Sequence, residues 1–148
     1  SILIQRNSTY SMQKYKIVDD LTSDVMFEAY GKDLKELFSN SATAMFSVIC
    51  DVDKIKPQKA VVVNINGDNA SDLLYKWLSM LVALVDTKAM FFSKFEILEI
   101  DDKHVKAKCY GEPITPGKGE TVVKAVLYYG FKLEKTKKGW KAKVACDI

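Results

Sequence analysis

Apolar residues recur along this chain at two different spacings. Leu34, Leu37, Phe38, Ser41, Met45 and Val48 fall three or four apart, which predicts a helix with one core-facing stripe that stops near Ile49. Asp33 stands three residues ahead of Glu36, the spacing of a capping box with Asp in the cap role. The second helical pattern is longer: Leu73, Leu74, Trp77, Leu78, Leu81, Val82, Leu84 and Val85. It follows the turn cluster Asn66-Gly67-Asp68-Asn69, and Asn69 with Asp72 repeats the cap spacing. The wide apolar face predicts a helix laid against a sheet, with Trp77 as a core anchor. The remaining apolar segments read as strands: 14–18, 25–30, 60–65, 96–100, 104–110, 121–128, 131–136 and 140–148.

In the last of these, Trp140, Ala142, Val144, Cys146 and Ile148 share one face, and Lys141, Lys143, Ala145 and Asp147 the other. Gly130 marks a bend, Lys137-Lys138-Gly139 a turn, and 111–117 a surface loop rich in Gly and Pro. The order of elements predicts an α+β domain: a mixed, mostly antiparallel sheet, two main helices packed on it, and a C-terminal β-meander.

A chain of 148 residues fits one domain able to bury a core without disulfides or metal. Residues 1–11 lack the apolar stretch of a signal peptide, and Met12 reads as a natural start. They are set aside as an appended or disordered extension, leaving 12–148 as the domain. The apolar stretch of the second helix is broken by Lys76 and Asp86, so no membrane span is expected. Cys50, Cys109 and Cys146 are odd in number and widely spaced, which fits buried thiols in a reducing cytoplasm. The net charge of +3 is small, and Arg6 is the only arginine, so sequence-specific reading of bases is not expected.

His104 is the only imidazole, and no Gly-x-Ser-x-Gly elbow or phosphate loop occurs, which disfavours nucleophilic and nucleotide-hydrolysing chemistry. Oxygen ligands are better represented. Asp24 stands at the mouth of a predicted strand, and Asp147 precedes Ile148, whose α-carboxylate is adjacent by covalent geometry. If the fold brings Asp24 to that tail, a hard divalent cation (Ca²⁺, Mg²⁺ or Mn²⁺) would find converging oxygens. The alternatives are that Thr22, Ser23 and Asp24 cap a turn and that Asp147 lies on a solvated tail. Lys124 sits in the apolar run Val122-Val123-Lys124-Ala125-Val126, either snorkelling to solvent or facing a carboxylate or phosphate.

Asp20-Leu21-Thr22-Ser23-Asp24-Val25, Ala29-Tyr30-Gly31, Leu73 to Leu78, Gly111-Glu112-Pro113-Ile114, Lys124-Ala125-Val126 and Asp147-Ile148 together resemble the archease family. The match runs in order from about Lys14 to Ile148. Leu21 and Tyr129 stand where the family usually has histidines, and Ser23 where it has alanine. The resemblance implies a non-enzymatic activator of a tRNA-splicing RNA ligase that uses GTP and manganese, promoting ligase guanylylation and multiple turnover. It implies metal ligands at Asp24, Asp147 and the carboxylate of Ile148, with Lys124 needed for partner activation. Weak or indirect tRNA contact and self-association are left open. Alternatives are a modulator or chaperone of a tRNA methyltransferase, and a metal-dependent phosphoesterase.

Overall fold

The computed structural model describes residues 3–6, 13–18 and 24–148. Both helices run where the apolar spacing predicts them: α1 spans Leu34–Ile49 and α2 spans Ala70–Thr87. Each begins with a reciprocal cap. Asp33 accepts from the Glu36 N–H at 2.8 Å, while Glu36 Oε1 accepts from the Lys32 N–H at 3.2 Å. Asn69 accepts from the Asp72 N–H at 2.9 Å, while Asp72 accepts from the Asp68 N–H at 2.8 Å. Donors that no helical turn can satisfy are thereby paired.

Among the described residues, eight strands form two antiparallel sheets, where the sequence pattern predicts a single one. The larger has the order β1-β2-β3-β8-β7: β1 is Leu3–Arg6, β2 Tyr15–Val18, β3 Asp24–Gly31, β7 Ala125–Thr136 and β8 Gly139–Asp147. The smaller has the order β4-β6-β5, with β4 Lys59–Asn66, β5 Met90–Ile100 and β6 His104–Pro113. All described pairings are antiparallel, so the sheet is not mixed. Leu3–Arg6, within the segment set aside as an extension, pairs along β2.

Each helix touches both sheets: α1 packs on β3 and β5, and α2 on β7, β4 and β5. Side-chain donors pin this layer to strand and helix carbonyls. Asn40 donates to Tyr30 O at 2.7 Å, Ser39 to Phe95 O at 2.9 Å, and Trp77 Nε1 to Phe38 O at 3.0 Å. Trp77 is fully buried, as a core anchor should be. So are Phe27, Ala29, Ala142 and Val144 on the inner face of the larger sheet. Cys50, Cys109 and Cys146 are buried free thiols. No described helix is long and apolar enough to cross a membrane.

Three strand expectations are corrected. Residues 121–124 are not strand: the N–H groups of Glu120 and Thr121 donate to Ile49 O and Val48 O at 2.9 and 3.2 Å. They satisfy the last carbonyls of α1 instead of a sheet ladder. Segments 125–128 and 131–136 are one strand with a bulge, because four residues (128–131) oppose the single residue Val144 between the pairs Leu127↔Ala145 and Lys132↔Lys143. The C-terminal meander is thus a hairpin, β7–β8. Finally, Gly111-Glu112-Pro113, predicted as loop, continues β6, and Glu112 is buried with Lys56 N–H and Lys118 Nζ both 2.9 Å from its carboxylate.

Candidate functional site

β3 and β8 are neighbours in the larger sheet, and their register sets Asp24 directly opposite Asp147. This pairing follows from burial. Phe27 must face the core with Ala142, Val144 and Cys146, so β3 can slide along β8 only in steps of two residues. Asp24 shares its parity with Met26 and Glu28, and Asp147 with Lys143 and Lys141, which places both carboxylates on the sheet face away from the helices. Directly opposed residues have Cβ atoms about 5 Å apart, and like charges there repel. Both residues are half-buried.

Ile148 follows Asp147, and its side chain packs against the core, so the main chain at the carboxyl end lies beside the acidic pair. On the other side of β8, Ala125 is the register partner of Asp147. The Lys124 N–H donates to Asp147 O at 2.7 Å, which ties Lys124 to the same corner with its side chain exposed. The fold therefore gathers all four predicted residues, Asp24, Lys124, Asp147 and Ile148, at one end of the β3-β8-β7 ladder. The stretch 20–23 of the acidic motif lies outside the described residues.

Among the described residues no three His, Cys, Asp or Glu side chains converge as a ready metal cage. The oxygen donors set together here are the side-chain carboxylates of Asp24 and Asp147, with the main chain of Ile148 next to them. An all-oxygen set this small fits a hard cation that keeps much of its water, and the mutual repulsion of the two aspartates favours a shared positive charge. Beneath the pair, Cys146 has its thiol pushed up to about 12, first by burial and then by the Asp24 carboxylate. It is a neutral packing group there, not a thiolate ligand.

Two features beside this corner escape periodicity. The β7 bulge raises Tyr128 and Tyr129 into solvent, at 75% and 92% exposure. Tyr75 of α2 holds its base: its hydroxyl donates to Val126 O at 3.1 Å, and its ring meets Tyr128 and Phe131 edge-on at 5.2 and 5.4 Å. Gly130, with φ +74°, is the one sequence signal for the bulge. Further along the sheet, Glu28 lies 3.3 Å from Lys16 Nζ and 3.6 Å from Lys141 Nζ and accepts from Tyr30 at 2.8 Å. Burial alone would raise the Glu28 pKa, but the Tyr30 bond and the two lysines outweigh it and lower it.

Comparison with known proteins gives the relationship directly. A model of the Archease protein family matches residues 15–148. The archease of Methanosarcina acetivorans is 40% identical over 142 residues, covering 92% of this chain and 97% of that protein. The archease of Sulfurisphaera tokodaii is 39% identical over 127 residues, covering 83% and 90%. The solution structure of a Methanobacterium thermoautotrophicum protein superposes with a TM-score of 0.74 at 33% identity, covering 91% of this chain and 97% of that one. A crystal structure described as an archease and possible chaperone, from Thermotoga maritima, has a TM-score of 0.63 at 17% identity, covering 94% and 99%, and supports the fold alone. With the family match spanning nearly the whole domain, and a solved relative sharing its architecture, this chain belongs to the archease family.

Proposed function

We propose that this protein is a non-enzymatic activator of a tRNA-splicing RNA ligase that uses GTP and manganese, promoting guanylylation of the ligase and its repeated turnover. The observation that carries the reading is the direct opposition of Asp24 and Asp147, with Lys124 tied to the same corner through the Asp147 carbonyl. Asp24, Asp147 and the carboxylate of Ile148 would hold a divalent cation, which supplies a compact positive charge exchangeable with a partner. The corner lies at the end of a ladder, so it suits insertion into another protein's cleft. Lys124, exposed beside it, is placed to meet a phosphate or carboxylate of that partner. The exposed Tyr128 and Tyr129 offer flat apolar area next to it, the type of side chain that anchors interfaces.

The test is reconstitution. Ligase, GTP, Mn²⁺ and this protein are combined, and labelled guanylate on the ligase is followed with RNA joining. Stimulation of guanylylation is expected. Asp24→Asn, Asp147→Asn, Lys124→Ala and a short extension after Ile148 should each abolish most of it, while circular dichroism shows an unchanged fold. A phosphodiester turned over by this protein alone with Mn²⁺ would instead favour the phosphoesterase reading. Unchanged stimulation by all four variants sinks the proposal.

A further inference from the structure

A second concave surface lies between the C-terminal half of α2 and the link 114–124 that joins β6 to β7. Its volume is about 290 Å³, room for one large side chain, and none of the four residues of the acidic corner lines it. Val82, Val85 and Asp86 stand three and four apart on α2, so they share one side of that helix. The link is pinned opposite them. Glu120 and Thr121 hold the last carbonyls of α1, and the Ile114 N–H donates to Ala89 O at 2.9 Å. Gly119 lets the link lie close over the Phe91 ring, since a Cβ there would stand 3.3 Å from it.

The lining is apolar, with Ile49, Phe91 and Val123 buried and Val82 and Val85 packed against the core. Apolar surface continues outward from it, because Val122 is 77% and Ile114 42% exposed. Two charged side chains line the cleft, Asp86 and Glu120, both carboxylates in a chain of net charge +3. Both are exposed, and neither makes an ion pair among the described residues. Lys118, two residues from Glu120, is committed to Glu112 at 2.9 Å. The Glu120 charge is felt inside the fold: after burial and Asp51, it helps to push the Cys50 thiol up to about 12. An apolar cleft thus carries uncompensated negative charge at its rim.

We propose that this cleft docks a segment of a partner protein that presents an aliphatic side chain beside a lysine or arginine. The aliphatic group fills the cavity, and the cation lies against Asp86 and Glu120. An apolar anchor in a pocket with charges at the rim is the usual division of labour in an interface. The two carboxylates attract a basic segment and reject an acidic one, which supplies specificity. Val122 and Ile114 extend the apolar contact past the cavity, an area that a chain segment covers and a free amine does not. The inference does not rest on the ligase reading, since the cleft and the acidic corner have no lining residue in common.

Methyl NMR of the full chain with labelled valine tests this. The capped peptides Gly-Ile-Leu-Lys-Lys-Gly, Gly-Ile-Leu-Glu-Glu-Gly and Gly-Ser-Ser-Lys-Lys-Gly are titrated separately, as is hexylammonium. Saturable shifts at Val82, Val85, Val122 and Val123 are expected with the first peptide. Binding about tenfold weaker is expected for the acidic peptide, which replaces two attractions by repulsions. The peptide without aliphatic residues should leave these methyls unmoved. Asp86→Asn combined with Glu120→Gln should erase the preference for the basic peptide over the acidic one. Val122→Ser, an exposed substitution, should weaken the basic peptide about fivefold by removing apolar contact. No saturable shift with the basic peptide, or equal binding of the acidic one, overturns the proposal. So does hexylammonium binding as tightly as the peptide, which assigns the cleft to a free amine. Shifts of the same methyls on raising protein concentration alone assign it to a second copy of this chain and also overturn it.

Discussion

Two glycines of the β7–β8 hairpin show how much a single position can carry. Gly139 closes the turn at φ +133°, and a Cβ there would overlap the Gly31 carbonyl oxygen on the neighbouring strand. Gly130 sits in the bulge at φ +74°, with open space around it. Gly139→Ala must therefore move backbone, whereas Gly130→Ala meets only the left-handed conformational cost, about 1–2 kcal/mol. Urea unfolding should show a shift of that size for Gly130→Ala and a clearly larger one, or failure to fold, for Gly139→Ala. Equal shifts would refute the distinction. Trp77 was identifiable as a core anchor from its place in the apolar stripe, and Trp77→Ala should cost about 3–5 kcal/mol. Its bond to the Phe38 carbonyl was not, since the acceptor lies on the other helix. Glu112 was similarly hidden. A charged residue between glycine and proline reads as loop, yet it is buried because Lys56 and Lys118 converge on it.

Elements differed in how openly the sequence announced them. Both helices and both caps were legible, because capping and the 3.6-residue period are local properties. Asn69→Ala, which leaves the Asp72 N–H without its acceptor, should cost about 1 kcal/mol, read as a lowered urea midpoint with an unchanged slope. The strands were legible as extended segments but not in extent. Whether 121–124 joins a ladder depends on the distant end of α1, and whether 125–136 is one strand depends on what β8 tolerates opposite it. The bulge is also where an element-scale consequence for function is expected. Tyr129→Ala removes a ring that is 92% exposed, so thermal stability should stay within about 0.5 kcal/mol of the parent. Ligase stimulation should fall if the bulge flanks the docking corner as proposed.

For the whole molecule, titration sets the pH range of stability. The Glu112 carboxyl lies below its ordinary 4.5, first through the Lys56 N–H bond and then through Lys118, and Glu28 lies below it as well. Lowered carboxyls stabilise the fold above the unfolded value, and that contribution is lost as pH falls through the folded one. Acid unfolding should therefore steepen below about pH 4.5, and Glu112→Gln should flatten it. At the alkaline end the signs reverse. Burial pushes Cys50, Cys109 and Cys146 up to about 12 from an ordinary 9.0. Between those values the unfolded chain releases thiol protons that the folded one keeps, so stability falls as pH rises from about 9. A thiol reagent at pH 8 should leave the native protein nearly unlabelled and mark all three cysteines in denaturant. Rapid native labelling would contradict the burial.

By itself the sequence determined the α+β class, the two capped helices, which residues of the last strand share a face, and four candidate residues, located through family likeness. Only the tertiary structure decided that there are two sheets, that β8 inserts between β3 and β7, and that Asp24 consequently meets Asp147 while Lys124 docks on the same carbonyl. Spacing and capping act within a few residues and can be read off the chain. Strand partnership joins segments more than a hundred residues apart, and it is selected by which pairing buries every inner face and satisfies every ladder at once.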